Sequence, residues 1–213
     1  MTGKIYGIGL GPGDPDLITR KAARLIENAR VIAYPTLAGK PSFARTIAAA
    51  LIPEDVVEIA IDVPMTVARD PAQAAYDLGA KEIALQLEAG KDVVVLCEGD
   101  PLFYGSFMYL QARLTPRFAC EIVPGVTSLT GCAASLKQPL CARDQILLVL
   151  PATLAEDELR AKIGDADCIS IMKVGRHLEK VKAVVQALGL EDAAKFVAHA
   201  SLPQERALSL IHI

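Results

Sequence analysis

The run Asp92 to Cys97, DVVVLC, sets five apolar residues in unbroken succession. A strand turns alternate side chains to opposite faces, so a strand apolar at every position has to be covered on both sides. Helices on both faces of a mostly parallel sheet do this, and the neighbouring segments agree. Strand-like runs at Lys4 to Leu10 (KIYGIGL), Arg30 to Tyr34 (RVIAY, ended by Pro35), Val56 to Ile59 and Ala119 to Val123 alternate with segments of helical period. These predict helices over Asp16 to Ala29, Ser42 to Leu51 with Ser42 as N-cap, Pro71 to Ala89 stopped by Gly90, a helix through Leu114, and one opened by PGVTS that runs to Leu136. Strand and helix in alternation are the pattern of βαβ units, so the expected class is α/β.

After about residue 140 the alternation continues in a different register. Strands are expected at Gln145 to Leu150, Asp167 to Met172 and Lys195 to His199, with helices near Ala155 to Ile163 and Leu178 to Leu188. The connector KQPLCARD with Pro139 marks the expected boundary, giving an N-terminal lobe over 1–138 and a C-terminal lobe over 139–213. The last segment, ERALSLIHI, starts a strand-like alternation that stops at Ile213.

Composition narrows the function classes. A net charge of −3 with no Lys/Arg block argues against a duplex nucleic-acid binder, and 5% aromatic residues with no Trp leave few platforms for stacking single strands. No apolar run reaches the roughly 18 residues that cross a bilayer. The N-terminus MTGKIYGIGLGPG puts a glycine turn where a signal peptide needs an apolar stretch, so a cytoplasmic protein is expected. The five cysteines contain no C-x-x-C pair, and together with three histidines they form no zinc spacing, so reduced thiols and no metal are expected.

Three turns carry the candidate chemistry. In GIGLGPGDPDLITRKA the glycines Gly7, Gly9, Gly11 and Gly13 stand between a strand and a helix. A dinucleotide fingerprint fails there, because Pro12 or Asp14 stands where its last glycine belongs, and Tyr34–Pro35 replace the expected ribose-binding acid. An acid at that turn also repels phosphate, which leaves a non-phosphate ligand or a purely structural turn. The second turn, Glu98-Gly99-Asp100-Pro101 followed by Tyr104, Gly105 and Ser106, ends the most apolar strand, the edge where open α/β sheets bind ligands. Its carboxylates suit acid–base work or hydrogen bonds to ligand hydroxyl and amino groups, and Asp100 before Pro101 equally suits a helix N-cap. The third, Pro124-Gly125-Val126-Thr127-Ser128, opens a helix with free N–H groups and hydroxyls. In a parallel sheet three such turns converge on one crevice. Met172 reads first as core, and His177 and His199 as surface or satisfied histidines, since neither has a nucleophile in a recognisable context.

GIGLGPGDPDLITRKA, CEGDPLFYGS and PGVTS, in this order and spacing, resemble the tetrapyrrole methylase family, enzymes that use S-adenosylmethionine to methylate porphyrinoid carbons on the way to sirohaem and cobalamin. The resemblance spans essentially the whole chain. CEGDPLFYGSFMYL, VPGVTSLTGCAA, VLPATL and IMKVGRHLEKV are similar in particular to the branch acting at C-20 of precorrin-2 or its cobalt form. It implies two α/β lobes, the N-terminal one built on a mostly parallel sheet and the C-terminal one mixed, with the cofactor in the cleft between them, and a homodimer. By the same resemblance Glu98, Gly99, Asp100, Tyr104, Ser106, Thr127, Ser128, Met172, Ala198 and Ser201 hold S-adenosylmethionine, which leaves as S-adenosylhomocysteine. Gly11, Pro12, Gly13 and Arg143 border the tetrapyrrole, Lys173 and Arg176 are further cations for its carboxylates, and Glu98 is the candidate base. Family members usually finish with a further hydrophobic strand, so one is expected beyond Ile213. Competing expectations are another member of the fold (a different precorrin C-methyltransferase, a uroporphyrinogen-III methylase, a ribosomal RNA ribose methylase or a diphthine synthase) and a non-catalytic tetrapyrrole carrier.

Overall fold

The computed structural model describes residues 1–37, 39–64, 69–164 and 166–210. The chain divides into two compact units, Met1–Thr127 and Ser128–Ile213. The expected boundary at 138/139 lies one helix further along. That helix packs against a strand of the second unit, which puts it on the C-terminal side of the division.

The first unit holds β1 (Ile5–Gly9), α1 (Arg20–Glu27), β2 (Val31–Leu37), α2 (Phe43–Ile47), β3 (Val57–Val63), α3 (Arg69–Glu88), β4 (Val93–Cys97), α4 (Phe107–Leu114) and β5 (Cys120–Val123). Its five strands form one parallel sheet in the order β3-β2-β4-β1-β5. β4 is buried along its whole length. Val93, Val95 and Cys97 face the side covered by Ile83 and Leu87 of α3 and Phe107 and Leu110 of α4. Val94 and Leu96 face the side covered by Ala22 and Ile26 of α1 and Ala44 and Ile47 of α2. The alternation expected from DVVVLC is therefore met by a helical layer on each face.

Two local expectations are corrected. The helix expected from Asp16 is two pieces: Asp14 accepts from the Asp16 N–H (2.9 Å) at a short 3-10 turn over Pro15–Leu17, and Thr19 caps α1 by accepting from the Ala22 N–H (3.2 Å). Each cap satisfies its own orphan donor, so the chain starts twice. Strand β2 does not end at Pro35. It pairs with β3 along its whole length but with β4 only at Ile32 and Ala33, so at Pro35 it has a sheet neighbour on one side and tolerates a residue with no N–H. The Pro35 carbonyl accepts from the Ser42 hydroxyl (2.7 Å), while the Ser42 oxygen accepts from the Arg45 N–H (3.3 Å) as the expected N-cap of α2.

Glu121 of β5 pairs with both Lys4, just before β1, and Lys21 of α1, so it ties the sheet edge to the helix above it. Hydrogen bonds to the two ammonium groups hold its carboxyl at about 2, below the ordinary 4.5. The folded value is the lower one, so this stabilisation is complete above pH 4.5 and fades as pH falls toward 2. Glu121→Gln is expected to lower the melting temperature by about 2 °C at pH 7, with the gap closing at pH 2; thermal denaturation at the two pH values measures it.

The second unit holds α5 (Ser128–Leu136), β6 (Leu147–Pro151), α6 (Glu156–Ile163), β7 (Cys168–Met172), α7 (Leu178–Ala187), β8 (Lys195–Ala198) and β9 (Arg206–Ser209). β6 and β7 are parallel, and β8 and β9 form an antiparallel pair. Leu150, Leu159, Ile163, Val181, Val184 and Leu210 make its core. Residues 211–213, the end of the expected last segment, lie outside the described residues. No helix among the described residues is long and apolar enough to cross a membrane.

Candidate functional site

β1 lies between β4 and β5, so the turns that follow these three strands leave the same edge of the sheet side by side. The Leu10 N–H donates to the Cys97 carbonyl (3.0 Å) and carries the β1–β4 pairing one step beyond the strands. Gly11 and Gly99 then exchange both backbone hydrogen bonds, at 3.2 and 2.8 Å, each in the left-handed region (φ 80° and 63°) that glycine enters without a Cβ clash. The turn after β5 is locked to the turn after β4 by Asp100. One carboxylate oxygen accepts from the N–H groups of Leu102 (2.9 Å) and Phe103 (3.1 Å), and the other accepts from Gly125 (3.0 Å).

The helix start expected at Asp100–Pro101 is corrected by this geometry. Residues 101–104 form a bend, Tyr104 sits at φ 54°, and α4 begins only at Phe107. Asp100 thus caps a turn and clamps it to its neighbour, rather than capping α4. Ser106 precedes the helix, and within it the ring of Tyr109 stacks at 5.0 Å on the buried ring of Tyr76 of α3. Burial, with the nearby Asp100 and Glu98 charges, pushes the Cys97 thiol well above its ordinary range, so it is an inert floor beneath the turns.

Of the other expected residues in this unit, Glu98 is exposed, and Tyr104 stands 38% exposed with its ring edge-on to Phe103 at 5.2 Å. Thr127 is half-buried. Gly11 and Gly13 are buried and Pro12 is half-buried beside them, but both backbone polar groups of Gly11 face Gly99. An open hollow of about 410 Å³ at the ends of β2 and β3, lined by Tyr34, Thr36, Lys40, Ser42, Arg45 and Asp62 among others, lies outside every expected residue. Arg45 grips Glu58 with two bonds of 2.7 Å, and the Tyr34 hydroxyl donates to the same carboxylate (2.5 Å), which holds Glu58 below its ordinary range.

In the second unit Ser128 begins α5 and is exposed. Met172 ends β7, half-buried, with its carbonyl accepting from the Ala152 N–H (2.7 Å), and the exposed Lys173 follows at φ 57°. Ala198 ends β8, and His199 and Ser201 follow at φ 55° and 67°. Non-glycine residues held in the left-handed region are uncommon and need support from their surroundings. Four of them, Tyr104, Lys173, His199 and Ser201, fall in turns that follow the strand ends β4, β7 and β8. Arg143 (φ 53°) is exposed in the segment between α5 and β6, and Arg176 is exposed in the short helical turn before α7. His177 is half-buried, with burial and the charges of Lys180 and Arg176 lowering its pKa.

Glu205 is the residue that sequence reading missed. One of its oxygens accepts both from the Ser201 N–H (2.7 Å) and from the Ser135 hydroxyl of α5 (2.6 Å), and these bonds keep the carboxyl below its ordinary range. It therefore fixes the strained turn to a helix. Glu205→Ala is expected to speed proteolytic nicking near Ser201 about tenfold, with Glu205→Gln close to wild type because an amide oxygen still accepts; limited proteolysis reads both.

The three turns together offer Asp14, Glu98 and Asp100 and no Lys or Arg over 9–14, 98–106 and 124–128. That donor set suits a ligand bearing positive charge and hydroxyl groups and disfavours a phosphate. Among the described residues no group of three His, Cys, Asp or Glu is placed to hold a metal ion, and the five cysteines are unpaired.

The chain is 41% identical over 203 residues to a precorrin-2 C(20)-methyltransferase of a Sinorhizobium species, covering 92% of this chain and 83% of that protein. It is 32% identical over 213 residues to the cobalt-precorrin-2 C(20)-methyltransferase of Salmonella typhimurium, covering all of this chain and 90% of that one. The structure of uroporphyrin-III C-methyltransferase from Thermus thermophilus, complexed with S-adenyl homocysteine, superposes with a TM-score of 0.68 at 28% identity, over 97% of this chain and 82% of that one. The model of the tetrapyrrole (corrin/porphyrin) methylases matches residues 4–210, and with that match and these relatives the chain belongs to the tetrapyrrole methylase family.

Proposed function

We propose that this protein transfers a methyl group from S-adenosylmethionine to C-20 of precorrin-2, a step of cobalamin biosynthesis. The observation that carries the reading is the junction of three turns at the β4-β1-β5 edge, acidic and hydroxyl-bearing and without a cation, in a chain whose 41% identical relative bears that name. The metal-free macrocycle is favoured over the cobalt form because the Sinorhizobium relative is nearer in sequence than the Salmonella one.

When bound, S-adenosylmethionine supplies an electrophilic methyl group on a positively charged sulfur. The protein's share is placement and exclusion of water, since an activated methyl needs near-contact alignment and no covalent nucleophile. Gly99, held by Gly11, and the bend fixed by Asp100 form the rigid floor. The half-exposed ring of Tyr104 and the hydroxyls of Ser106 and Thr127 supply walls and hydrogen bonds on the first unit, and the family resemblance assigns Ser128, Met172, Ala198 and Ser201 to the same cofactor. Pro12 and Gly13 border the macrocycle, with Gly11 as support, and Arg143 pairs with one of its carboxylates. Glu98, exposed at the mouth of its turn, is the assigned acceptor for the proton that C-20 releases. Assembly as a homodimer and a cytoplasmic location belong to the same reading.

Incubation with methyl-labelled S-adenosylmethionine and anaerobically prepared precorrin-2, with and without cobalt, tests it by mass spectrometry and carbon NMR. One added methyl at C-20, faster on the metal-free macrocycle, is the expected result. Cofactor binding without transfer to either macrocycle overturns the C-20 assignment.

A further inference from the structure

The turn between β8 and β9 runs against the preference of its own residues. His199 and Ser201 both hold left-handed backbone, which a residue with a Cβ keeps when its surroundings impose it. Two bonds wind the turn from within: the Leu202 N–H donates to the His199 carbonyl (3.0 Å), and the Glu205 N–H to the Leu202 carbonyl (2.9 Å). The side chain of Glu205 then ties the turn to a separate element of the same unit. One of its oxygens accepts from the Ser201 N–H and from the Ser135 hydroxyl of α5. Ser128, Cys132 and Ser135, spaced four and three apart, share one face of that helix. The Glu205 charge, together with burial, pushes the Cys132 thiol up, so the carboxylate stands beside that face.

The helix itself does not need this bond. The Ser135 hydroxyl has a second acceptor one turn back, the Gly131 carbonyl at 3.1 Å. With a single proton to give, it donates to the charged oxygen at 2.6 Å and turns back to Gly131 when that oxygen is removed. Loss of the carboxylate therefore leaves α5 satisfied and releases the turn. We infer that Glu205 is a positioning residue for the cofactor: it holds the backbone of Ser201 at a set distance from the Ser128 face of α5, so that the second unit's share of the binding groups is in place before the ligand arrives. This role rests on the cofactor half of the proposed function, which assigns Ser128, Ala198 and Ser201 to S-adenosylmethionine, and is independent of the macrocycle and of the carbon methylated.

The test is isothermal titration calorimetry with S-adenosylhomocysteine, which has no methyl to transfer, on wild type, Glu205→Ala, Glu205→Gln, Ser135→Ala and the Glu205→Ala/Ser135→Ala double variant. Circular dichroism melting confirms that each is folded. Glu205→Ala is expected to raise the dissociation constant about tenfold and Ser135→Ala about fivefold, with the double variant no weaker than Glu205→Ala, because both changes cut one link. Glu205→Gln is expected to stay within about twofold of wild type. Its amide oxygen still accepts both bonds, and its nitrogen replaces an oxygen that has no partner among the described residues. A folded Glu205→Ala protein that melts lower but binds like wild type would reduce Glu205 to a structural tie and overturn the inference. So would a Gln variant as weak as the Ala variant, or single effects that multiply in the double variant. Where Glu205→Ala does not fold, Ser135→Ala decides: unchanged affinity overturns the role. A wild type that binds no S-adenosylhomocysteine overturns the cofactor reading itself, whereas binding indifferent to these variants overturns the positioning role alone.

Discussion

Asp100→Ala is expected to weaken S-adenosylmethionine binding about a hundredfold, read by isothermal titration calorimetry. The carboxylate accepts from Leu102 and Phe103 with one oxygen and from Gly125 with the other, so its loss leaves three N–H groups of two turns without their acceptor. Hydrogen bonds to a charged acceptor contribute about 1.5–3 kcal/mol each, and the half-buried position keeps that range relevant. Asp100→Asn separates the two halves of the clamp. The amide oxygen still serves Leu102 and Phe103, but its NH2 group meets the Gly125 N–H, donor against donor. About a tenfold loss is expected for this variant, with the bend at 101–104 intact. Equal affinity in Asp100→Asn and wild type would show that the link between the turns is not what holds the site.

That link was only half visible in the sequence. Asp100 before Pro101 marks a local cap, and the structure keeps the local half, in the bonds to Leu102 and Phe103. The other half reaches 25 residues along the chain to Gly125, and spacing carries no trace of it. By contrast β4 was legible because the demand is one-dimensional: five apolar residues in a strand need cover on both faces, and the helices supply it. Pro35 misled because its effect depends on a neighbour. It ends a strand paired on both sides, and β2 at that point is paired on one. Glu205 gave no signal at all. An exposed glutamate in a loop is ordinary until the fold brings Ser135 and Ser201 to the same oxygen. The sequence thus discloses what each segment needs to bury, while contacts made for position alone emerge only when distant segments meet.

Gly125→Ala is expected to be severely damaging to both stability and the site. A Cβ there would stand 2.1 Å from the Gly99 carbonyl oxygen and 2.8 Å from two backbone atoms of Gly9. All of these are main-chain atoms of the two neighbouring turns, held by the β1–β4 ladder and the Gly11–Gly99 bridge, so no flexible side chain can yield. Relief requires the turns to part, which breaks the Asp100–Gly125 hydrogen bond as well. Overpacking against a fixed backbone costs about 3 kcal/mol or more, enough to lower the melting temperature by about 8 °C and to remove measurable cofactor binding. Gly164, at the end of α6 with φ −70°, is the control. A Cβ there meets nothing within 4 Å, so Gly164→Ala is expected to melt at or slightly above wild type, because it only narrows the freedom of the unfolded chain. Differential scanning calorimetry of the pair, with cofactor titration of both, measures the contrast. A Gly125→Ala protein that melts and binds like Gly164→Ala would mean that the turns are free to separate and that their close approach is not what shapes the site.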